Sequence, residues 1–254
     1  RLPDRLRPAP GAETETDTVN FSPTGTVEID NRTGRITVST WNRPQVGFAY
    51  TLAPGEDGAP MGATLHITRD DQEISFGHDH SWSLRIPGVL TISPDGTGEP
   101  VGDHRVVMPK RANLRIDDFG STIEVSNLEG NAEIETHQGT VTIRRMVGRL
   151  NLDIFSGTAE VIGFRGRAEL ETYSGRITAE VEELSGATDV DTHSGPVRFS
   201  LPPDTGFDLT MDADSANVTV DEAFGPRTRA DDRLKYNGGG PEVSVESFSG
   251  TVEL

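Results

Sequence analysis

Between residues 106 and 201 apolar and polar positions alternate in short runs, and glycine breaks each run. Glycines fall at 130, 139, 148, 157, 166, 175, 186 and 195, a nine-residue spacing with one gap of eleven. A period of two between glycine turns predicts strands, not helices. Similarity returns after two strands, not one. Asn-Leu-Asp-Ile-Phe-Ser-Gly at 151–157 overlays Glu-Leu-Glu-Thr-Tyr-Ser-Gly at 169–175, and the same form recurs at 189–195 and 244–250. The intervening strand carries an apolar residue two before its glycine: Leu128, Met146, Phe164 and Leu184. A hairpin meander could give the nine-residue spacing but not the two-strand repeat. The pattern predicts an all-β fold, a single-stranded β-helix or solenoid with two short strands per coil of about 18 residues, right-handed, each coil burying its neighbour's faces. Residues 1–19 hold three prolines and no apolar period, and read as an N-terminal linker. Residues 20–254 read as one solenoid domain, with an irregular part at 42–105, regular coils at 106–201, and last coils with an excursion at 202–254.

Stacking the first strand of each coil gives inward aliphatic pairs: Val27/Ile29, Leu114/Ile116, Ala132/Ile134, Leu150/Leu152, Ala168/Leu170, Thr188/Val190 and Val243/Val245. The outward position between them and the corner reads Asp30, Asp117, Glu135, Asp153, Glu171, Asp191 and Glu246. Like charges about 5 Å apart repel by about 1 kcal/mol per pair even in water, and folding does not require such a column. It serves either as a solvated face that blunts sheet association or as a strip that takes a basic partner or weakly binds Ca²⁺. A second column, at the turn, reads Arg32, Phe119, His137, Phe155, Tyr173, His193 and Phe248. Stacked rings there either shield the turn backbone or form a ridge for protein or sugar. His137 and His193 stand three coils apart, too far to share a metal.

Charge narrows the partners. The net charge of −18 argues against nucleic acid, whose phosphates need clustered Lys and Arg, and against an anionic membrane surface. The absence of cysteine excludes disulfides and thiol chemistry. No apolar run is long enough to span a bilayer. The chain opens on Arg1, and a signal peptide or membrane anchor outside this sequence is expected. The chain stops on the strand 251–254, so an uncovered last coil is expected, open to end-to-end self-association or covered by the excursion at 221–241.

Candidate catalytic chemistry is sparse. His78-Asp79-His80 is the one histidine cluster in the sequence, and it has no predictable third ligand. The Gly-x-Ser-x-Gly, P-loop and His-Glu-x-x-His patterns are absent. Carboxylate pairs of the kind used by polysaccharide-cleaving β-helices are too abundant here to single one out. No cofactor is implied. The readings are a non-enzymatic interaction module, a structural or self-assembling spacer, and, last, a polysaccharide-active enzyme.

Three segments carry a family resemblance: Val-Glu-Ile-Asp-Asn-Arg-Thr-Gly-Arg-Ile-Thr-Val at 27–38, Val-Val-Met-Pro-Lys-Arg-Ala-Asn-Leu-Arg-Ile at 106–116, and the ending Gly-Gly-Gly-Pro-Glu-Val-Ser-Val-Glu-Ser-Phe-Ser-Gly-Thr-Val-Glu-Leu at 238–254. With the glycine-bounded coils they resemble a bacterial adhesin-like family of unknown function, similar to autotransporter-adhesin head domains. The resemblance implies a β-helix-like solenoid on secreted or membrane-anchored proteins, contacts with protein or carbohydrate at the cell surface, and no catalytic residues.

Overall fold

The computed structural model describes residues 14–31, 33–52, 64–69, 72–75, 89–95, 101–213, 217–224, 227–230 and 233–254. Among the described residues the chain forms strands and no helix. The strands are β1 (Thr14–Asn20), β2 (Thr26–Asn31), β3 (Thr33–Trp41), β4 (Gln45–Leu52), β5 (Thr64–Arg69), β6 (Gln72–Ser75), β7 (Val89–Asp95), β8 (Val101–Pro109), β9 (Asn113–Asp118), β10 (Thr122–Ser126), β11 (Ala132–Thr136), β12 (Thr140–Ile154), β13 (Thr158–Thr172), β14 (Arg176–Leu184), β15 (Thr188–Thr192), β16 (Pro196–Ser200), β17 (Phe207–Ala213), β18 (Asn217–Thr219), β19 (Arg227–Ala230), β20 (Arg233–Tyr236), β21 (Glu242–Ser247) and β22 (Thr251–Glu253). The chain divides into two compact units, Arg1–Ile134 and Glu135–Leu254.

In the first unit β2 lies between β7 and β9, parallel to both, and β3 lies between β8 and β10, again parallel. Like residues stack on like: Val27 on Leu114, Ile29 on Ile116, Ile36 on Ile123, Val38 on Val125. All eight are buried. Each such side chain contributes about 1.5–3 kcal/mol on leaving water, so a thin aliphatic column suffices. The irregular stretch 42–105 supplies the rung beyond β2/β3, made of β7 and β8, and then reverses direction. β4 runs antiparallel to β8, and β5 runs antiparallel to β7. Beyond these lie β1 on β4 and β6 on β5, both antiparallel. Within the expected linker at 1–19, residues 14–19 instead belong to β1, because the edge of β4 turned away from β8 offers backbone groups for a further strand.

In the second unit, parallel pairing advances by eighteen residues from Thr140 to Thr158 and from Thr158 to Arg176. It advances by twenty from Glu169 to Asp189, which absorbs the eleven-residue glycine gap. β12 and β13 each run fifteen residues through the second glycine corner without breaking. Arg145 (φ 55°) and Gly148 (φ 140°) bend β12, and Gly163 (φ 69°) and Gly166 (φ 152°) bend β13. Positive φ is cheap for glycine, and a Cβ at Gly166 would lie 1.8 Å from the Gly148 carbonyl oxygen. The apolar residues before these corners, Met146, Phe164 and Leu184, are buried.

The order of rungs departs from the order of the chain. β21 pairs with β15 on one side and β17 on the other, and β22 lies likewise between β16 and β18. The strand 251–254, expected as an uncovered last coil, is therefore part of an inner rung, with β18 over β22 and β17 over β21. The physical reason is the excursion at 220–241, which is long enough to carry the chain back over the rung it has just built. β20 pairs antiparallel with residues 207–209 of β17, and β19 pairs with β20. Phe207, Phe224 and Tyr236 fill that end: Phe207 stacks on Tyr236 (4.8 Å between centroids) and meets Phe224 edge-on (5.3 Å).

Candidate interaction surface

The corner that precedes each Ser-Gly turn is built from three side-chain columns in the second unit, and each has its own cause. Closest to the core, Thr136, Thr172, Thr192 and Ser247 are buried. The Thr172 hydroxyl donates to the Ile154 carbonyl (2.8 Å), the Thr192 hydroxyl donates to the Gly195 carbonyl (2.7 Å), and the Thr136 hydroxyl accepts from the Gly139 amide (2.9 Å). At Thr136, Thr172 and Thr192 the hydroxyl gives the turning backbone a local partner, while Ile154 fills the same column with an apolar side chain.

Next outward, His137, Phe155, Tyr173, His193 and Phe248 form one continuous parallel stack. Centroid steps are 4.4, 4.9, 4.5 and 4.9 Å, with ring planes within 8° of one another. That step is the strand spacing itself, so the β-ladder positions the rings. A serine follows Phe155, Tyr173, His193 and Phe248 and fixes the turn, whereas Gln138 follows His137. The amides of Ser156, Ser174, Ser194 and Ser249 donate to the carbonyls of His137, Phe155, Tyr173 and His193, and their hydroxyls donate to the same oxygens. The glycine after each serine has no room for a side chain; a Cβ at Gly195 would lie 2.0 Å from the Gly175 carbonyl oxygen. Ring, serine and glycine are thus one device. The serines recur plainly in the sequence, but their doubled bond to the rung before was not foreseen.

Two residues before each ring stands the acidic column. Asp153 pairs in register with Glu171, Glu171 with Asp191, and Asp191 with Glu246. Glu135 sits exposed on β11. Glu246 pairs in turn with Asp212, a carboxylate missed in the sequence because its rung is built out of chain order. Glutamates elsewhere on the surface have cations beside them: Arg149 with Glu169, Arg165 with Glu182, Arg144 with Glu160. Among the described residues no ion pair joins Asp153, Glu171, Asp191 or Glu246 to a cation. Partial burial, and then the charges of Asp153, Asp191 and Glu169, push the Glu171 carboxyl above its ordinary value; burial does the same to Asp153.

The first unit carries a shorter version. Asp30 pairs in register with Asp117. Partial burial, Asp117 and Glu28 raise its pKa, against a lowering by Arg115. Phe119 is exposed, and its amide donates to the Asn31 carbonyl (3.2 Å). The core-side position differs from that of the second unit. Asn31 donates to the Ser121 hydroxyl (2.8 Å) and faces Nε2 of His104 across 3.3 Å through its side-chain oxygen. Burial lowers the His104 pKa to about 4, so the imidazole is neutral and serves as a hydrogen-bonding wedge. Nothing in the sequence pointed to it, because His104 and Ser121 meet only through the inserted rung of β2 and β3. Arg32 and the His78-Asp79-His80 cluster lie outside the described residues. Among the described residues no group of three or more His, Asp or Glu side chains could hold a metal.

Residues 110–254 match the model of the Toastrack family, DUF4097. The chain belongs to the Toastrack family. The resemblance read from the coils and from 238–254 is borne out by this match, and with it the β-solenoid fold. The chain is also similar to a candidate cell adhesion protein from Clostridium sporogenes, at 12% identity and a TM-score of 0.47, over 95% of this chain and 98% of that one. A candidate adhesin from Parabacteroides distasonis is 11% identical with a TM-score of 0.39, over 96% of this chain and 97% of that one. No curated protein matches the Toastrack chain.

Proposed function

We propose that this Toastrack protein is a non-enzymatic interaction module of the extracytoplasmic surface, and that its second unit makes the contact through the ring column and the acidic column beside it. The observation that carries the reading is the exposure of stacked rings on a rigid ladder: Phe155, Tyr173 and Phe248 are 43, 49 and 54% exposed. Large side chains already held in one rotamer lose little entropy on binding, and aromatic anchors dominate the energetics of protein interfaces.

The stacking also narrows the partner. Sugars lie on ring faces, and here the faces cover one another, so the ridge presents ring edges and the Tyr173 hydroxyl. Beside it runs a line of carboxylates that no arginine or lysine neutralises. A folded protein surface rich in Arg and Lys complements both columns. Each rung offers a cation one carboxylate, against the about six to eight oxygens calcium takes, so the column acts as diffuse charge.

The test is selection of binders from a displayed library of small basic domains, followed by affinity measurement. Replacing both Phe155 and Tyr173 with Ala is expected to weaken binding about a hundredfold, as for two anchors of about 1–2 kcal/mol each. Arg165→Ala is expected to leave it unchanged. Binders indifferent to the double substitution would place the contact elsewhere. Thermal melting of the double variant separates lost binding from lost fold.

A further inference from the structure

The outermost rung of the second unit is finished on one side only. β20 covers residues 207–209 of β17. Among the described residues no strand pairs with the outer side of 210–213 or of β18. The inner side of β18 is fully used: the Asn217 amide donates to the Gly250 carbonyl (3.2 Å), the Leu254 amide to the Thr219 carbonyl (2.9 Å) and the Asp221 amide to the Leu254 carbonyl (2.9 Å). In a parallel ladder alternate residues face the partner strand. The amide and carbonyl of Val218, which lies in register with Val252, therefore point away from β22.

Side chains tell the same story. Met211 pairs with Val245, which is fully buried, yet Met211 is 45% exposed. It occupies an inward column with no rung above it among the described residues. Val218 is half-buried where Val252 beneath it is inaccessible. Next to these residues along the chain are Asp212, which follows Met211, and Asp221 and Glu222, which follow β18; all three are exposed, and no ion pair among the described residues neutralises them. The cations nearby on β20 are already engaged, Lys235 with Asp208 and Arg233 with Glu242.

We propose that this edge is a docking site for an extended, positively charged segment of a partner protein, which adds to β18 as one more strand. The outward amide and carbonyl of Val218 supply backbone hydrogen bonds, Met211 and Val218 supply apolar contact, and the three carboxylates select Lys and Arg. Strand addition of this kind draws affinity from the main chain and specificity from alternate side chains. A second copy of this chain is disfavoured, because it brings the same carboxylates to the same edge. The site is separate from the ring column.

The probe is a labelled peptide of alternating valine and lysine, with the valine–glutamate peptide as control, followed by fluorescence anisotropy. The lysine peptide is expected to bind and the glutamate peptide is not. Val218→Pro deletes the outward amide while sparing the inner ladder, which an edge strand tolerates, and is expected to weaken binding about tenfold. Asp212→Lys is expected to weaken it by a similar factor, and Tyr173→Ala to leave it unchanged. Should Val218→Pro disturb the fold by circular dichroism, Asp212→Lys and protection of the Val218 amide from hydrogen exchange in the complex decide the matter. Equal binding of both peptides, no binding of the lysine peptide, or no change in either variant would overturn the proposal. Dimerisation in sedimentation velocity that Val218→Pro abolishes would overturn it too, by assigning the edge to a second copy.

Discussion

The first unit closes its outer rung on both sheets: β4 and β1 lie antiparallel beyond β8, and β5 and β6 lie antiparallel beyond β7. The second unit closes only one, with β20 and β19 beyond part of β17. Both insert the rung nearest their chain terminus in second place, β2/β3 in one and β21/β22 in the other. A parallel stack cannot end itself, because each rung exposes the edge the next would use. Reversing strand direction ends it. The 22 residues at 220–241 hold one antiparallel hairpin, whereas the longer excursion after β3 holds both β4 and the β5–β6 hairpin, and β1 adds to β4 from before β2. The open edge at β18 is what the shorter excursion leaves uncovered.

The corners differ as well. The second unit repeats one ring–serine–glycine device at 155–157, 173–175, 193–195 and 248–250, whereas the first holds its corner with the Asn31–His104–Ser121 cluster. The largest expected effect strikes the repeated device. Gly195→Ala forces a Cβ into the Gly175 carbonyl and should cost about 3 kcal/mol in urea unfolding. Gly186→Ala meets only the Arg167 side chain at 3.4 Å and should stay within about 0.5 kcal/mol. If the two cost the same, close backbone approach is not what selects glycine at the turn.

Asn31→Ala comes next. It removes the amide that joins His104 to Ser121 inside the first unit and should cost about 2 kcal/mol. Thr192→Val, which loses one hydroxyl bond in the second unit, should cost about 1 kcal/mol. Reversal of that order, measured by the same unfolding, would show the polar corner of the first unit to be dispensable.

The smallest effect is one of pH. Asp30, Asp153 and Glu171 have carboxyls raised above their ordinary values in the folded chain, so the folded state holds protons more tightly than the unfolded one. Their contribution to stability should therefore rise as pH falls through these raised values and level off below the unfolded carboxyl range, while the buried neutral His104, with its pKa lowered to about 4, takes stability away over the same descent. Glu171→Gln should raise the melting temperature at pH 7 and flatten that rise. A Glu171→Gln chain whose melting temperature follows pH just as the parent's does would remove like-charge repulsion from the account of the acidic column.

The repeat was legible because two forces act on it in every coil. Inward positions must be apolar, and the ring–serine–glycine turn must recur, so Leu152, Leu170 and Val190 align in sequence as they do in space. The acidic column could be read from the same alternation. Rung order could not. Nothing local in 242–253 distinguishes an inner rung from an outer one, since its inward valines serve equally well in either; exposure of Met211, on a rung earlier in the chain, is what reveals the inversion. Asp212 and the His104 cluster were missed for that reason. Each lies beside its neighbours only through a rung inserted out of order.

The inserted rung also has a mechanical meaning. An outermost strand can be peeled away one hydrogen bond at a time. Residues 242–253, held by β15 and β16 on one side and by β17 and β18 on the other, can leave only by shearing two ladders together. Tension applied through the C-terminal segment therefore loads many bonds in parallel, as in a clasp closed from both sides.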